Sequence, residues 1–206
     1  MVVLAEELEV LPRLEQLGAP KNKLLEVVLA SVAAKRRASN AFYARNGAGQ
    51  LSYQEGTAHL RRAFLPLGYE VCREDNIEAI YNPKTGIKIV FQNADRAGEL
   101  HRDPLATSDK GPGSERAVDA GQYELFPEIR ASEVKKASAP IWYLCTYAVG
   151  DDVRAELSCP KQIENKQFAG FHERILLLQK GDWGGIDLTD DKMGPLDFDV
   201  PVSRKG

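Results

Sequence analysis

Residues near the end of one predicted strand have the types and spacing for hydrolytic chemistry. Glu156 and Ser158 alternate onto the same face of the segment 153–159, and Lys161 follows just beyond it. Cleavage of a phosphodiester with Mg2+ uses two or three carboxylates on adjacent strands, often with a lysine that positions water or balances charge. The pattern raises the hypothesis of a metal-dependent nuclease centred on Glu156 and Lys161.

The second carboxylate of such a site must come from another element. Asp95 lies just after the strand predicted at 87–91, and Glu78 and Glu173 lie on or beside other predicted strands. We place Asp95 in the catalytic set. Because Ser158 stands where a lysine would complete a Glu-x-Lys pair, an ordinary polar strand face is the competing interpretation.

Other site chemistries have less support. The glycine signatures of phosphate loops, G-x-x-x-x-G-K-[ST] and G-x-G-x-x-G, are absent from the sequence. Asp95, His101 and Asp103 are the densest set of metal-ligand types, but their spacing favours a solvated loop. No Cys-x-x-Cys spacing occurs, and buried free thiols are predicted at Cys72, Cys145 and Cys159. We expect no metal or cofactor, with Mg2+ required only under the nuclease hypothesis.

Charge is distributed unevenly along the chain. Residues 1–68 hold 9 basic and 6 acidic side chains, whereas the remaining residues hold 18 and 24. The N-terminal region is therefore the candidate surface for nucleic-acid phosphates or for an acidic partner. Its candidate contacts are Lys35, Arg36, Arg37, Arg45, Arg61 and Arg62. Ordinary solvated helix faces are the competing interpretation.

The stretch 182–199 is acidic and is interleaved with large apolar side chains. Its aspartates are Asp182, Asp187, Asp190, Asp191, Asp197 and Asp199, against the single cation Lys192. Acidic segments with apolar punctuation dock on basic, groove-bearing partners. A tail that covers the protein's own sheet is the competing interpretation.

The hydrophobic period predicts helices over the first 68 residues. The first has apolar residues along 4–11 and is interrupted by Pro12. The second runs from about 22 to 37. The third is predicted to begin at the capping-box pair Ser52 and Glu55.

After residue 68 the pattern changes to strands. Hairpins are predicted at 77–91 and 141–159, with turns at 82–86 and 150–151. Further strands are predicted at 174–178 and 198–202. The alternation in 153–159 predicts one core face and one polar face turned to solvent.

The segment 93–139 is long for a connection inside a compact domain, and such lengths are usually functional or disordered. Within it, 127–137 is predicted to be helical and 108–116 has a flexible-linker composition. A helical region at 1–68 and a β-rich region at 69–206 would form one compact domain. The predicted class is α+β, with N-terminal helices on a mostly antiparallel sheet of about five to seven strands and a long central loop.

Composition narrows the function classes. Apolar residues make up 43%, charged residues 28%, and the mean hydropathy is −0.35, which is neither a membrane-spanning nor a wholly disordered composition. The N-terminus lacks the basic flank and apolar stretch of a secretory signal, which predicts a cytoplasmic protein.

The leading hypothesis is a non-enzymatic protein that engages a protein or nucleic-acid partner through the sheet face, long loop and acidic tail. It rests on segregated charge and on the lack of a catalytic motif. A metal-dependent nuclease is the alternative. An enzyme on small molecules, with 93–139 as its lid, is a third hypothesis.

Overall fold

The computed structural model describes residues 1–122, 136 and 138–185. Within this part of the chain the α-helices are α1 (Glu7–Leu17), α2 (Lys21–Arg37), α3 (Gly47–Phe64) and α4 (Pro112–Gln122). The strands are β1 (Val2–Leu4), β2 (Glu70–Cys72), β3 (Ala79–Asn82), β4 (Ile87–Asp95), β5 (Leu105–Ala106), β6 (Ile141–Val149), β7 (Asp152–Pro160), β8 (Ile163–Glu164), β9 (Gln167–Phe168) and β10 (Phe171–Leu178). No described helix is both long and apolar enough to cross a membrane.

One mixed sheet organises the described chain. Its strand order is β1-β10-β7-β6-β4-β3-β2, β5 pairs with the end of β4, and β8 and β9 form a separate hairpin. Most pairs are antiparallel, and the parallel pairs are β1 with β10 and β4 with β6. Helices packed on a mostly antiparallel sheet confirm the predicted α+β class.

The N-terminal helices cover one face of the sheet. Alternate residues of the central strands, such as Ile89, Leu144 and Leu157, join the apolar faces of α1, α2 and α3 in a helical-face core. Pro12 does not interrupt α1. The proline leaves the carbonyl of Leu8 without its helical donor, but Leu8 is 90% exposed, so that side of the helix faces water.

The opposite face of the sheet is also covered. Val90, Tyr143 and Cys145 are buried there beneath α4, the loop that follows β4 and the β8–β9 hairpin. The prediction of a solvent-facing polar side on 153–159 is therefore wrong, because Arg154, Glu156 and Ser158 are all buried under this second layer.

Three local predictions also fail. Residues 2–4 form a strand beside β10 rather than the start of a helix, as suits their β-branched valines. The third helix begins at Gly47, and Ser52 is a buried residue whose Oγ donates to Asn93 Oδ1 at 2.7 Å, not a cap. The predicted linker at 108–116 contains the start of α4, where Pro112 supplies a preset helical φ.

Two predicted elements fall largely or wholly outside the description. The helix expected at 127–137 lies outside the described residues except for Lys136, and the strand expected at 198–202 lies outside them entirely.

Candidate nucleic-acid interface

The connection between α2 and α3 projects an aromatic side chain into solvent. Residues 37–46, here called the α2–α3 tip, join two helices that pack along each other. Phe42 is 98% exposed, the most exposed of the large apolar side chains in the described chain, and Tyr43 beside it is partly exposed. Exposing an aromatic ring forgoes the stabilisation that its burial would give, so this ring, with the exposed Tyr43 beside it, is a candidate contact site.

The turn that carries Phe42 is held by hydrogen bonds. Asn40 Oδ1 accepts from the Phe42 amide at 3.0 Å, and Asn40 Nδ2 donates to the carbonyl of Arg37 at 2.8 Å. Tyr43 packs on Gly47, where an added Cβ would lie 3.3 Å from the tyrosine Cβ. Phe42 is therefore presented by an Asx turn fixed to the ends of both helices.

The tip carries a surplus of cations. No acidic residue lies between Glu26 and Glu55 in the sequence. Arg37 and Arg45 are exposed, and neither guanidinium has a hydrogen-bond or ion-pair partner among the described residues. The first turn of α3 adds no acidic side chain and no side-chain cap, so its free amides contribute partial positive charge beside Arg45.

Lys35 and Arg36, two other predicted nucleic-acid contacts, bond to the end of β6 and the turn that follows it. Lys35 Nζ donates to the carbonyl of Ala148 at 2.7 Å, and burial lowers its pKa. Arg36 Nη2 donates to the carbonyl of Gly150 at 3.0 Å and lies 3.4 Å from Asp151 Oδ1. These cations anchor α2 to the β6–β7 turn, and Asp151 offsets part of the positive charge there.

The last two predicted contacts lie at the far end of α3. Arg61 bonds to Glu78, whose pKa is lowered by that hydrogen bond, and Arg62 is exposed. Since α2 and α3 run in opposite directions from the tip, Arg62 lies almost the full length of α3 from Arg45. The six predicted cations do not form one patch, and Arg37 and Arg45 remain at the tip.

The carboxylate at the centre of the nuclease hypothesis is fully enclosed. Glu156 Oε1 accepts from Ser158 Oγ at 2.6 Å and from Arg174 Nε at 2.9 Å. Its Oε2 accepts from the Gly98 amide and from Arg174 Nη2, each at 2.7 Å. The side chains of Glu156 and Arg174 are both 0% exposed, so the carboxylate is saturated with donors and has no open side.

The loop after β4 closes over this ion pair. Gly98 has φ +69°, and an added Cβ would lie 2.3 Å from the Leu178 carbonyl oxygen, so only glycine fits this close approach. Glu99 accepts from Arg174 Nη2 through its carbonyl at 2.8 Å, and Asp103 Oδ1 lies 3.3 Å from Arg174 Nη1. Residues 98–103, at the beginning of the segment 93–139, thus bond to the buried pair of Glu156 and Arg174.

The other members of the proposed catalytic set lie elsewhere. Asp95 is exposed and continues the alternation of Ile89 and Phe91, which places it on the helical face, opposite to Glu156. Lys161 is exposed in the turn after β7, where its amide donates to the Gly170 carbonyl at 3.0 Å. The structure does not bring the three residues together.

No metal centre is evident in the described part of the chain. No group of three or more histidine, cysteine, aspartate or glutamate side chains there could hold a metal ion. His101 is exposed at the surface, whereas Asp103 faces the buried arginine. The sequence cluster Asp95, His101 and Asp103 does not converge.

The three thiols are free, as predicted, and are poor nucleophiles. Burial raises the pKa of Cys145 and of Cys72. Burial, reinforced by the charge of Glu173, raises the pKa of Cys159 to about 12. These thiols stay protonated near neutral pH, which does not suit covalent catalysis.

A lysine is buried in the second layer, a feature that sequence reasoning missed. Lys110 is 7% exposed, donates to Gln92 Oε1, and places Nζ 4.6 Å and 5.0 Å from the ring centroids of Tyr143 and Phe168. Burial lowers its pKa to about 8. The composition of 108–116 gave no signal of this, because flexible-linker composition predicts an exposed lysine.

A cavity of about 540 Å3 lies beneath α4 and was also not foreseen. Its wall includes Lys88, whose Nζ lies 2.8 Å from Glu74 Oε2, and Arg116, which bonds to Asp75. Asp75 and the residue after it have positive φ values of 52° and 61°. Each of these two cations is therefore paired with a carboxylate. In the sequence, only the dipeptide Asp75-Asn76 indicated a turn at this position.

Comparison of the chain with protein-family models, with curated proteins and with solved structures finds no match.

Proposed function

We propose that this protein is a non-enzymatic nucleic-acid-binding protein that holds a single strand at the α2–α3 tip. Phe42 would stack on a base, and Arg37 and Arg45 would contact flanking phosphates. The observation that carries the proposal is Phe42, 98% exposed in a hydrogen-bonded turn between two arginines that lack partners among the described residues.

A single strand suits this chemistry better than a duplex. Every unstacked base offers a π face to an exposed aromatic ring, and stacking of this kind contributes about 1–3 kcal/mol per base. Bases in a duplex are already stacked on one another. The guanidinium groups and the free amides of the first turn of α3 favour an anionic backbone over a neutral partner.

The sequence predicted three contact surfaces, namely the sheet face, the long loop and the acidic tail, and the proposal does not use them. The sheet face is buried on both sides, so it offers no contact surface in the described chain. The start of the long loop covers Glu156 and Arg174, and most of the acidic tail lies outside the described residues. The tip, by contrast, carries exposed side chains.

Fluorescence anisotropy with labelled 20-nucleotide strands tests the proposal. Oligo-dT and oligo-U are titrated with the full chain at low and moderate salt, and a 20-base-pair duplex serves as the comparison. We expect single strands to bind more tightly than the duplex, with affinity falling as salt rises. No anisotropy change with either strand at about 100 μM protein and low salt would exclude the proposal, since non-specific binding reaches about this range.

Hydrolysis at Glu156 lacks comparable support, because that carboxylate is saturated by hydrogen-bond donors. The same titration includes an arm with Mg2+ or Mn2+. Cleavage of the oligonucleotides that occurs only with the metal would favour the nuclease hypothesis over the binding protein.

A further inference from the structure

Another cavity lies where the loop after β4 crosses the start of β7 and the end of β10. It has a volume of about 540 Å3, and we call it the edge cavity. Its wall consists of the loop residues 98–102, of Arg154 on β7, and of Gln179 and Lys180, which follow β10. An added Cβ at Gly98 would lie 2.8 Å from the Cβ of Arg154, so the loop packs directly on β7 here.

The charges of this wall favour an anion. Its permanent cations are Arg102, Arg154 and Lys180, whereas Glu99 supplies the one carboxylate of the wall among the described residues. Lys180 is exposed, and its ammonium group has no hydrogen-bond or ion-pair partner in the described part of the chain. His101, also in the wall, adds a further positive charge when it is protonated.

Arg154 is a buried cation that its neighbours hold in place. Its side chain is 10% exposed, and its guanidinium carbon lies 4.2 Å from the ring centroid of Tyr147. Nη1 donates to Glu99 Oε1 at 2.8 Å. Nε lies 3.1 Å from Asp152 Oδ1, but it forms no hydrogen bond with any described residue. A guanidinium that is fixed in this way loses little conformational entropy when an anionic oxygen binds to it.

Nearby carboxylates offset only part of the positive charge. Glu99 is shared between the two arginines, because it also lies 3.6 Å from Arg102 Nη1. Asp182 is not part of the wall, and its carboxylate accepts from the Gln179 amide at 2.8 Å. Counted against Glu99 and Asp152, the three permanent cations of the wall leave one positive charge in excess.

We propose that the edge cavity binds a phosphate group. Arg102 and Arg154 would each offer the forked donors that suit phosphate oxygens, and Lys180 would add an ammonium group. The volume is that of a site for a small ligand such as a nucleotide. The cavity lies on the face of the sheet that α2 and α3 do not cover, so this inference does not rest on the proposed function.

Isothermal titration calorimetry of the full chain, at low salt and without divalent metal ions, tests the site. The probes are inorganic pyrophosphate and ATP, and adenosine is the uncharged comparison. We expect pyrophosphate and ATP to bind with Kd values below about 1 mM and adenosine to bind much more weakly. No binding of either phosphate compound at about 5 mM, or adenosine binding as tight as that of ATP, would overturn the proposal.

Substitution of exposed cations shows whether binding occurs in the edge cavity. R102Q/K180Q removes two exposed cations of the wall, and we expect it to bind pyrophosphate about 3- to 30-fold more weakly. R45Q/K161Q is the matched control, because it makes the same change in net charge at the α2–α3 tip and at the far end of β7. It should change the affinity less than about twofold, since both positions are distant and screened.

An equal loss in both variants, or no loss in R102Q/K180Q, would overturn the assignment to the edge cavity. An unchanged thermal transition confirms that each variant folds. These comparisons use no nucleic-acid strand, so they remain decisive whatever the outcome at the tip.

The two sources of a phosphate group, a free nucleotide and the backbone of a strand, are distinguished by further titrations. Tighter binding of ATP than of pyrophosphate, weakened in R102Q/K180Q, would support the site with a nucleotide as its ligand. A lower affinity of R102Q/K180Q than of the natural chain for oligo-dT would support the site with a strand as its ligand. Pyrophosphate binding that requires Arg102 and Lys180, with no strand bound, would support the edge cavity and remove the proposed function.

Discussion

Glu156 and Arg174 form a bidentate ion pair inside the protein, with Nε to Oε1 at 2.9 Å and Nη2 to Oε2 at 2.7 Å. The pair joins adjacent strands, since Leu176 on β10 is the register partner of Glu156 on β7. Both side chains are fully buried, and the pair lies beneath the loop that follows β4. We therefore assign Glu156 and Arg174 a structural role, not a catalytic one.

Loss of one member of this pair should destabilise the fold severely. R174M leaves the Glu156 carboxylate buried without its counter-charge, and we expect the free energy of unfolding to fall by about 3–5 kcal/mol. Urea denaturation followed by circular dichroism measures the change. The double variant E156L/R174M removes both charges and should be more stable than R174M; a loss below about 1 kcal/mol in R174M would contradict this role.

Two glycines of α3 should respond in opposite ways to alanine. At Gly56 an added Cβ would lie 2.6 Å from the ring of Phe91, whereas at Gly49 it meets nothing within 4 Å. G56A should therefore destabilise by about 1–3 kcal/mol through overpacking. G49A should be neutral or stabilise by up to about 1 kcal/mol, because alanine favours the helix. Equal effects of the two substitutions in thermal unfolding would show that α3 does not pack on β4 this closely.

The buried Lys110 should give stability a characteristic dependence on pH. Its folded pKa of about 8 lies below the ordinary 10.5, so between these values the unfolded chain binds more protons than the folded chain. Stability from this group therefore rises with pH across that window, by at most about 1.4 kcal/mol per pH unit.

Comparison of the natural protein with K110M isolates the contribution of Lys110 to the pH dependence of stability. We expect the unfolding free energy of the natural protein to increase relative to that of K110M between about pH 8 and 10.5. K166M, at an exposed lysine nearby, is the matched control, and a change of the same size relative to K166M would mean that the effect does not come from the burial of Lys110. Parallel curves for the natural protein and K110M would mean that Lys110 titrates normally.

Arginines at the tip should account for the salt dependence of strand binding. Each phosphate contact on a single strand contributes about 0.7 to the slope of log K against log salt. R37A and R45A should each lower the slope by about that amount, and R62A should leave it unchanged. An equal effect of all three would mean that the strand follows α3 rather than the tip.

The α+β class and both main hairpins could be predicted because they depend on local period and turn chemistry. Alternation in 153–159 gave the correct strand, yet it could not show that a second layer buries Glu156, since that layer comes from a distant loop. Lys110 was missed for the same reason. Long-range contacts of polar residues are set by the tertiary fold, which a local pattern does not specify.

The six cations were chosen from sequence by their density, and the fold divides them. Lys35, Arg36 and Arg61 bond to the chain itself, because helix packing brings acceptors from other elements within reach. Phe42 was not singled out from the sequence, since a phenylalanine between Ala41 and Tyr43 gives no sign of whether it is buried.

The affinity of F42A for a single strand tests the central claim most directly. L8A is the matched control, because Leu8 is 90% exposed on α1, away from the tip. With labelled oligo-dT and constant salt, we predict that F42A binds about 5- to 150-fold more weakly, as the loss of one stacked base implies, while L8A binds like the natural protein. Equal affinity of F42A and the natural protein, with the fold intact, would contradict a binding site built on this ring.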